Sequence, residues 1–312
     1  MYLFRIDDTY FLVDAGFNFP EWKKVFFSEL QKINLSIEDI DYLIITHEHP
    51  DHVGLMEEIK HQNPNIQILM HEITHDLIKR ATDPKNEDEI QQSQDELLSN
   101  AMKYGLTEER ARFIFGFSAR MHSMVPYVMP DRFIKDNDEI KFNSTKLKFI
   151  WTPGHSLGHI CVFEEKNRHL FAGDHILSRI TPNIGTSMMS PRMQKQFDFT
   201  NILDYYLKSL DKIDALNSKI IFPAHQEVIY DPHKRILEMK KHHDTRLSEV
   251  TKVIENTALT PYEISQIHFG DDLDGMNTML AISEVLSHLI YLEVKGIIKR
   301  FEKDNKIYFI KI

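Results

Sequence analysis

The sequence predicts an α/β layered core that carries a helical insertion and is followed by a small helical module with a terminal hairpin. Short apolar runs alternate with amphipathic segments through most of the chain, which is typical of strands covered by helices. A polar, helix-favouring stretch interrupts this alternation at about residues 74–128, and residues 258–312 combine two helical patterns with two short strands. The length of 312 residues allows a large core with an appendage.

Short apolar runs predict the strands of the core. The first two runs are separated by Asp7-Asp8-Thr9 and are predicted to form a hairpin. The run at residues 42–46 is continuous, which is typical of a strand buried on both faces. We predict strands at residues 2–6, 10–13, 42–46, 66–70, 147–152, 159–164, 169–172 and 219–222.

Apolar residues at helical spacing predict the helices of the core at residues 20–33, 53–61 and 199–216. Ser36 ahead of Asp39 predicts a capped short turn. A helical insertion between core strands is a candidate lid or wall of the substrate site. The alternative is a segment that packs on the surface without a role in the site. Its apolar residues, which would line an acyl or aromatic pocket or else belong to a core, are Phe113, Phe115, Phe117, Met121, Met124, Tyr127 and Met129.

The C-terminal part predicts a separate module. A long charged helix at about residues 233–256 is expected to lead away from the core, and Thr260-Pro261-Tyr262-Glu263 has the pattern of a helix start with a capping box. A second helix at 278–293 and two strands complete a winged-helix pattern. We therefore predict a core domain at 1–232, a linking helix at 233–257 and a winged-helix-like domain at 258–312.

The composition excludes some classes of protein. The hydrophobic share of 42% and the charged share of 27% are ordinary for a globular protein. The formal net charge of -10 disfavours a general binder of polyanions. A single cysteine, Cys161, lies in an apolar run and fits a reducing compartment. Because no signal sequence or membrane-span pattern is evident, we expect a cytoplasmic protein with no membrane partner.

Four residues of metal-ligand type stand together where the third strand ends: His47, His49, Asp51 and His52. His47 and His49 are expected to point to one side of an extended turn, whereas Asp51 and His52 begin the next helix and face a neighbouring position. This arrangement suits two adjacent cations better than one. Imidazole and carboxylate ligands favour zinc or a similar divalent metal.

The stretch His47-Glu48-His49-Pro50-Asp51-His52 resembles the His-x-His-x-Asp-His signature of the metallo-β-lactamase superfamily. Further motifs similar to that family's occur in the expected order at Asp14-Ala15-Gly16, Thr152-Pro153-Gly154-His155-Ser156, Gly173-Asp174-His175 and Phe222-Pro223-Ala224-His225. The resemblance covers about residues 1–230. It implies an αββα sandwich for the core, a metal-dependent hydrolase activity, and two divalent metal ions, Zn²⁺ first with Fe or Mn as alternatives.

Carried over onto this sequence, the family pattern implies one metal held by His47, His49 and His155 and a second held by Asp51, His52 and His225, with Asp174 bridging them. Turn capping is the alternative role of His155 and of Asp174. His225 stands in Ala-His-Gln where many relatives have Gly-His-Gly. Among the other histidines, we interpret His159 and His175 as supporting or packing residues, and His242-His243 as solvated.

The resemblance implies that a hydroxide bridging the two metals attacks the substrate, while the metals polarise its carbonyl or phosphoryl oxygen. Asp51 is the predicted catalytic residue, which transfers a proton to the leaving group. Oxygen- and nitric-oxide-reducing relatives have a carboxylate at the position of His49, so His49 favours hydrolysis. Persulfide dioxygenases keep these histidines with one iron and remain an alternative.

The insertion and the tail resemble a branch that includes hydroxyacylglutathione-hydrolase-like proteins and an endoribonuclease type. The first hypothesis is hydrolysis of a small ester, thioester or lactone. The alternative is cleavage of phosphodiesters in single-stranded nucleic acid held by the tail, which the net acidity disfavours. In a third hypothesis the tail packs or forms a homodimer beside a degenerate site, which the complete ligand set disfavours. The tail's basic residues are Lys295, Lys299, Arg300, Lys303, Lys306 and Lys311.

Overall fold

Two five-stranded sheets form the centre of the computed structural model, which describes residues 1–82, 87–114, 127–184 and 200–312. The first sheet contains, in spatial order, β1 (Tyr2–Ile6), β2 (Thr9–Val13), β3 (Tyr42–Ile44), β4 (Gln67–His71) and β5 (Arg132–Ile134). The second contains β6 (Glu139–Lys141), β7 (Lys146–Trp151), β8 (Ile160–Glu164), β9 (His169–Gly173) and β10 (Ile220–Pro223), also in spatial order. Strands β2 to β5 are parallel, and β1 pairs antiparallel with β2. In the second sheet only the β9–β10 pair is parallel.

Helices cover both sheets and form the C-terminal part. They are α1 (Pro20–Lys32), α2 (Pro50–Val53), α3 (Met56–Gln62), α4 (Glu72–Thr82), α5 (Glu87–Lys103), α6 (Ile202–Ala215), α7 (Pro232–Val253), α8 (Pro261–Phe269) and α9 (Gly275–Val294). A short 3-10 turn lies at Ile37–Asp39, and residues 108–114 are helical. The chain ends in the antiparallel hairpin β11 (Ile298–Lys303) and β12 (Lys306–Lys311).

The two sheets pack face to face. Phe11 and Leu69 of the first sheet belong to the same buried cluster as Phe149 and Val162 of the second. On the outer faces, Leu30 and Ile59 anchor α1 and α3 to the first sheet, and Leu203 and Tyr206 anchor α6 to the second. The predicted α/β fold with a four-layer αββα sandwich is therefore confirmed.

Two short strands and one helix break were not predicted. Strands β5 and β6 have three residues each and carry charged side chains, so they lack an apolar run. The helix predicted at residues 53–61 begins at Pro50 and is interrupted after Val53. Gly54 lies directly against the backbone of residues 16–18, so an added Cβ would be 2.4 Å from Asn18 N. The Gly54 N–H donates to Gly16 O. This contact ties α2 to the loop after β2.

The prediction that the long charged helix leads away from the core is wrong, because α7 packs against the core. Ile236 and Met239 near its start are buried in the cluster under the second sheet. Val250 near its end is buried with residues of α8, α9 and the terminal hairpin. The prediction that His242-His243 are solvated is also wrong for His243, which has no exposed surface. The helix therefore contributes to two hydrophobic cores, and its charged residues lie on the face that points away from them.

The insertion packs against the C-terminal part. Ala101 and Ile114 share a buried cluster with Ile282 and Leu286 of α9, and Arg110 Nη2 donates to Leu273 O at 2.8 Å. The predicted capping box at Thr260 and Glu263 is confirmed. The elements of the tail occur in the predicted order, while its assignment as a winged helix stays a prediction. Within the described ranges, no helix has the length and apolarity that crossing a membrane requires.

The residues predicted to wall a pocket divide into two groups. Phe113, Tyr127 and Met129 are exposed, with 68% of Phe113 accessible, so this part of the stripe is not core. Phe115, Phe117, Met121 and Met124 lie outside the described residues.

Candidate metal centre

A buried turn at Asp14 fixes the end of β3, where the predicted ligands begin. Asp14 has a left-handed φ of +63° and donates its N–H to Ile44 O at 2.9 Å. Its Oδ1 accepts the N–H of Thr46 at 2.8 Å and the Thr46 hydroxyl at 2.9 Å. Helix α2 then starts with His49 as N-cap and Pro50 at the first helical position. The local sequence thereby places the whole histidine motif at one edge of the sandwich.

The three histidines assigned to the first metal converge. His49 Nδ1 lies 3.0 Å from His47 Nε2 and 3.0 Å from His155 Nε2. Nitrogen ligands of tetrahedral zinc, at about 2.0–2.1 Å from the metal, would be about 3.3 Å apart. His155 Nδ1 donates to the Asn183 carbonyl at 2.9 Å, so Nε2 is the nitrogen left to bind a cation. That nitrogen points into the group.

The three residues assigned to the second metal form a neighbouring group. Asp51 Oδ2 lies 3.1 Å from His225 Nε2 and 3.5 Å from His52 Nε2. Each of these side chains offers one ligand atom, and the ligand atoms lie within 4.8 Å of one another. His52 is buried, whereas the His225 side chain is 45% exposed. The second group therefore stands nearer to solvent.

Asp174 lies between the two groups. Its Oδ2 is 3.5 Å from His155 Nε2, and its Oδ1 is 3.5 Å from His52 Nε2 and 3.3 Å from His225 Nε2. Its backbone N–H donates to His159 Nε2 at 3.1 Å, which holds the turn after β9 in place. All seven residues assigned by the sequence are thus brought together.

Two buried polar atoms at the centre show that this donor set fits divalent cations. His52 Nε2 and Asp174 Oδ1 face each other at 3.5 Å, and neither has a hydrogen-bond partner among the described residues. Leaving such atoms unsatisfied costs about 1–3 kcal/mol each, or more when a charge is involved. A cation bound between imidazole and carboxylate ligands would satisfy both atoms.

The pKa values of the site follow from burial and from the paired charges. Burial, followed by the charges of His155 and His52, lowers the pKa of His49 to about 3, so His49 is neutral at pH 7. Burial would raise the pKa of Asp174, but the His225 imidazole, 3.3 Å from Oδ1, and the other nearby imidazoles hold the pKa well below the usual range. Close pairing with the Asp174 carboxylate, and then with the Asp51 carboxylate, raises the pKa of His225 to about 9. Without a cation, the proton on His225 therefore offsets part of the charge of the two carboxylates.

Other residues support the site. His159 is buried and holds the Asp174 N–H, as its interpretation as a supporting residue predicted, and His175 packs edge-on against Tyr206. Two supporting contacts were not predicted from the sequence. Ser156 Oγ donates to Glu48 Oε2 at 2.5 Å, and the Asn183 carbonyl accepts from His155 Nδ1. Glu48 and Ser156 belong to the two quoted motifs, whereas a backbone carbonyl leaves no signal in a sequence.

A four-layer sandwich with paired His/Asp groups at one edge defines the class of metal-dependent hydrolases. Residues 1–225 match the family model described as the metallo-beta-lactamase superfamily, so the chain belongs to that superfamily. Residues 247–311 match a second model, described as the metallo-beta-lactamase-like C-terminal domain.

Known proteins support the same class. The chain is similar to the probable metallo-hydrolase YqjP of Bacillus subtilis, with 24% identity covering 97% of this chain and 90% of that protein. It is 20% identical to an atrochrysone carboxyl ACP thioesterase of Aspergillus fumigatus, over 96% of this chain and 55% of that protein. A crystal structure of a metallo-beta-lactamase family protein from Thermus thermophilus superposes with a TM-score of 0.77 at 25% identity, covering 100% and 93% of the two chains.

Proposed function

We propose that the chain is a two-metal hydrolase of small thioesters, esters or lactones. The observation that carries the proposal is the position of Asp174, whose two carboxylate oxygens face different ligand groups. Oδ2 faces His155 of the first group, and Oδ1 faces His52 and His225 of the second. A carboxylate placed in this way suits a ligand shared by two cations better than a ligand of one.

The first cation would be held by His47, His49 and His155, and the second by Asp51, His52 and His225. Zinc suits this mixture of imidazole and carboxylate, with iron and manganese as alternatives. When bound, the metal pair supplies an activated water and polarises the substrate carbonyl. The buried side of the site, formed by His47 and His52, excludes bulk water from these groups.

Asp51 is suited to move the proton. Its side chain is 24% exposed, so it borders both the ligand group and the space open to substrate. Burial would raise its pKa, but the close imidazoles of His225, at 3.1 Å, and of His52, at 3.5 Å, hold the pKa far below the usual range. The carboxylate is therefore ionised at neutral pH. With the metals bound, Asp51 would accept a proton from the attacking water and pass it to the leaving thiol or alcohol.

The C-terminal helix α9 contributes to the wall of the site. Asn183, whose carbonyl accepts from His155, also donates from Nδ2 to Leu280 O at 2.9 Å. The Leu280 side chain is 37% exposed and Ile180 of the same loop is 55% exposed. Apolar groups beside the catalytic loop fit the acyl part of a small substrate. The relative named as a carboxyl ACP thioesterase supports a thioester in particular.

Cleavage of single-stranded nucleic acid has less support. Among the tail's basic residues, Arg300 binds Glu293, Lys311 binds Glu255, and Lys295 lies 3.9 Å from Asp204. Three of the six basic charges are therefore paired with carboxylates, and phosphate binding requires charge that is free to replace counterions. The net charge of -10 acts in the same direction.

The test compares substrates on the zinc-loaded full chain. Acyl-CoA and acyl-glutathione thioesters, a lactone, bis-p-nitrophenyl phosphate and single-stranded RNA are offered to the wild type and to Asp174→Asn. We expect thioester or lactone turnover in the wild type and a loss of at least about 100-fold in Asp174→Asn. Asp8→Asn, at an exposed position, is the control and should keep full activity. Phosphodiester cleavage without turnover of the thioesters or the lactone would refute the proposal.

A further inference from the structure

A second group of metal-ligand side chains lies where α7 and α9 pack together. His242 and His243 stand on α7, and Glu284 and His288 stand one turn apart on α9. We call these four residues the α7–α9 cluster. His243 and His288 have no exposed surface, and Glu284 is 8% exposed. None of the four belongs to the site around Asp174.

A chain of hydrogen bonds fixes the proton positions in the α7–α9 cluster. His288 Nδ1 lies 2.6 Å from the backbone carbonyl of Glu284, which can only accept, so this nitrogen carries the proton. Because burial lowers the pKa of His288, the ring is neutral and its Nε2 carries a lone pair. His243 Nδ1 lies 3.1 Å from that Nε2 and therefore donates to it. Burial lowers the pKa of His243 to about 3, so His243 Nε2 also carries a lone pair.

That lone pair has no protein partner. His243 Nε2 and Glu284 Oε1 are both buried, and neither has a hydrogen-bond partner within the described parts of the chain. His242 Nε2 lies 3.8 Å from Glu284 Oε1, which is too long for a hydrogen bond. Yet one ligand atom from each of His242, His243 and Glu284 lies within 4.8 Å of the others. A neutral imidazole and a buried carboxylate thus stand side by side with unsatisfied acceptors.

We propose that His242, His243 and Glu284 bind a divalent first-row cation, with zinc as the metal that best suits two imidazoles and one carboxylate. A solvent molecule completes the coordination, because the His242 side chain is 38% exposed and opens the site to water. His288 and the Glu284 carbonyl orient His243, as hydrogen-bonded partners commonly orient ligand histidines.

A purely protein-based ion pair explains the cluster less well. Burial lowers the pKa of both His243 and His288, so neither imidazole forms a full ion pair with Glu284. Arg246 adds a positive charge nearby, but its Nη1 is 3.2 Å from Glu249 and its guanidinium lies over the Phe269 ring at 4.7 Å. The carboxylate therefore keeps an unsatisfied buried oxygen, which is costly unless a cation binds it.

The proposed cation would hold α9 in position beside the active site. Ser283, next to Glu284, donates from Oγ to Ile184 O at 3.2 Å, and Leu280 O accepts from Asn183. Those contacts belong to the loop whose Asn183 carbonyl binds His155. A metal that joins α7 to α9 therefore stabilises the helix that packs on this loop, without touching the reacting groups.

The test counts metal ions on the full-length chain. The wild type, His242→Gln and Glu284→Gln are saturated with Zn²⁺, freed of excess metal by gel filtration and analysed by mass spectrometry. His233→Gln is the matched control, because His233 stands on the same helix and pairs with the Asp214 carboxylate at 2.8 Å, and it belongs to no three-ligand group found among the described residues. We expect each cluster variant to hold one Zn²⁺ equivalent fewer than the wild type and His233→Gln to hold the same number.

Equal zinc content in the wild type and the two cluster variants would overturn the proposal. Circular dichroism and thermal unfolding check that the variants fold. If Glu284→Gln does not fold, His242→Gln decides the test, because the His242 side chain is 38% exposed. As a second measurement, Zn²⁺ added to each chain should raise the unfolding temperature of His242→Gln less than that of His233→Gln. An identical rise in both also counts against the site.

Discussion

His52 Nδ1 lies 2.9 Å from Asp14 Oδ2, and both side chains are buried. The imidazole Nδ1–H donates to the carboxylate, so His52 Nε2 faces Asp51 and Asp174 as a ligand should. Asp14 also accepts two hydrogen bonds from Thr46, which fixes the carboxylate in turn. Asp14, which precedes the histidine motif in the sequence, therefore orients the proposed ligand His52.

Replacing Asp14 should weaken one metal more than the other. Asp14→Asn keeps a side chain that tolerates the left-handed φ of +63° but removes the charge that holds His52. We expect the affinity for one zinc equivalent to fall about 10- to 100-fold, as is usual when the partner of a ligand histidine is lost. Competition with a chromophoric chelator measures this. Asp41→Asn, at an exposed carboxylate that accepts from Tyr10 N, should leave both affinities unchanged.

Metal binding should depend on pH through His225. The pKa of His225 is raised to about 9 by Asp174 and Asp51, so the metal-free site carries a proton that a cation must displace. Zinc affinity should therefore rise about tenfold per pH unit between pH 7 and 8 for this one proton. Chelator competition at the two pH values tests this, and His225→Gln should reduce the slope. A wild-type affinity that does not change over this range would contradict the assignment.

The stability of the metal-free chain should change in the opposite direction. Because the folded-state pKa of His225 is above its unfolded value, its contribution is complete below about pH 6.5 and is lost as the pH rises through about 9. The metal-free protein should thus become easier to unfold in urea over that interval. The zinc-loaded protein should not, because the cation replaces the proton. The same loss in His225→Gln would show that another group is responsible.

The residues that the family motifs assign as ligands lie together in the structure, and each motif is local in the sequence. His47 and His52 follow one strand within a few residues, and the other assigned ligands stand in short turns with their own patterns. The support of His155 by the Asn183 carbonyl could not be predicted, since it depends on backbone geometry. The burial of His243 could not be predicted either, because it arises from its contact with His288, 45 residues away on another helix.

Gly173 should tolerate alanine poorly because of the groups around it. A Cβ there would lie 2.6 Å from His159 Nε2 and 2.9 Å from Thr46 Oγ1, the atoms that hold Asp174 and the Asp14 turn. We expect Gly173→Ala to lower the free energy of unfolding by about 1–3 kcal/mol through overpacking, with added backbone strain at its φ of +49°. Urea denaturation measures the change. Gly296→Ala is the matched control, because its φ is +71° but nothing lies within 4 Å of the added Cβ. An equal loss in both variants would mean that strain, and not crowding of the site, is the cause.

Leu280 should select for the length of the acyl group. Its backbone is bound to Asn183 beside the proposed catalytic loop, and its side chain is 37% exposed. If an acyl chain packs there, Leu280→Gln removes a contact of about 1 kcal/mol, and kcat/KM for an octanoyl thioester should fall about fivefold. Turnover of an acetyl thioester should be unchanged, since a two-carbon acyl group would not reach the side chain. The control is Leu237→Gln, at an exposed position on α7, which should affect neither substrate. A uniform loss on both substrates would instead indicate that the substitution disturbs His155 through Asn183, and Leu280 would then be a positioning residue with no part in substrate choice.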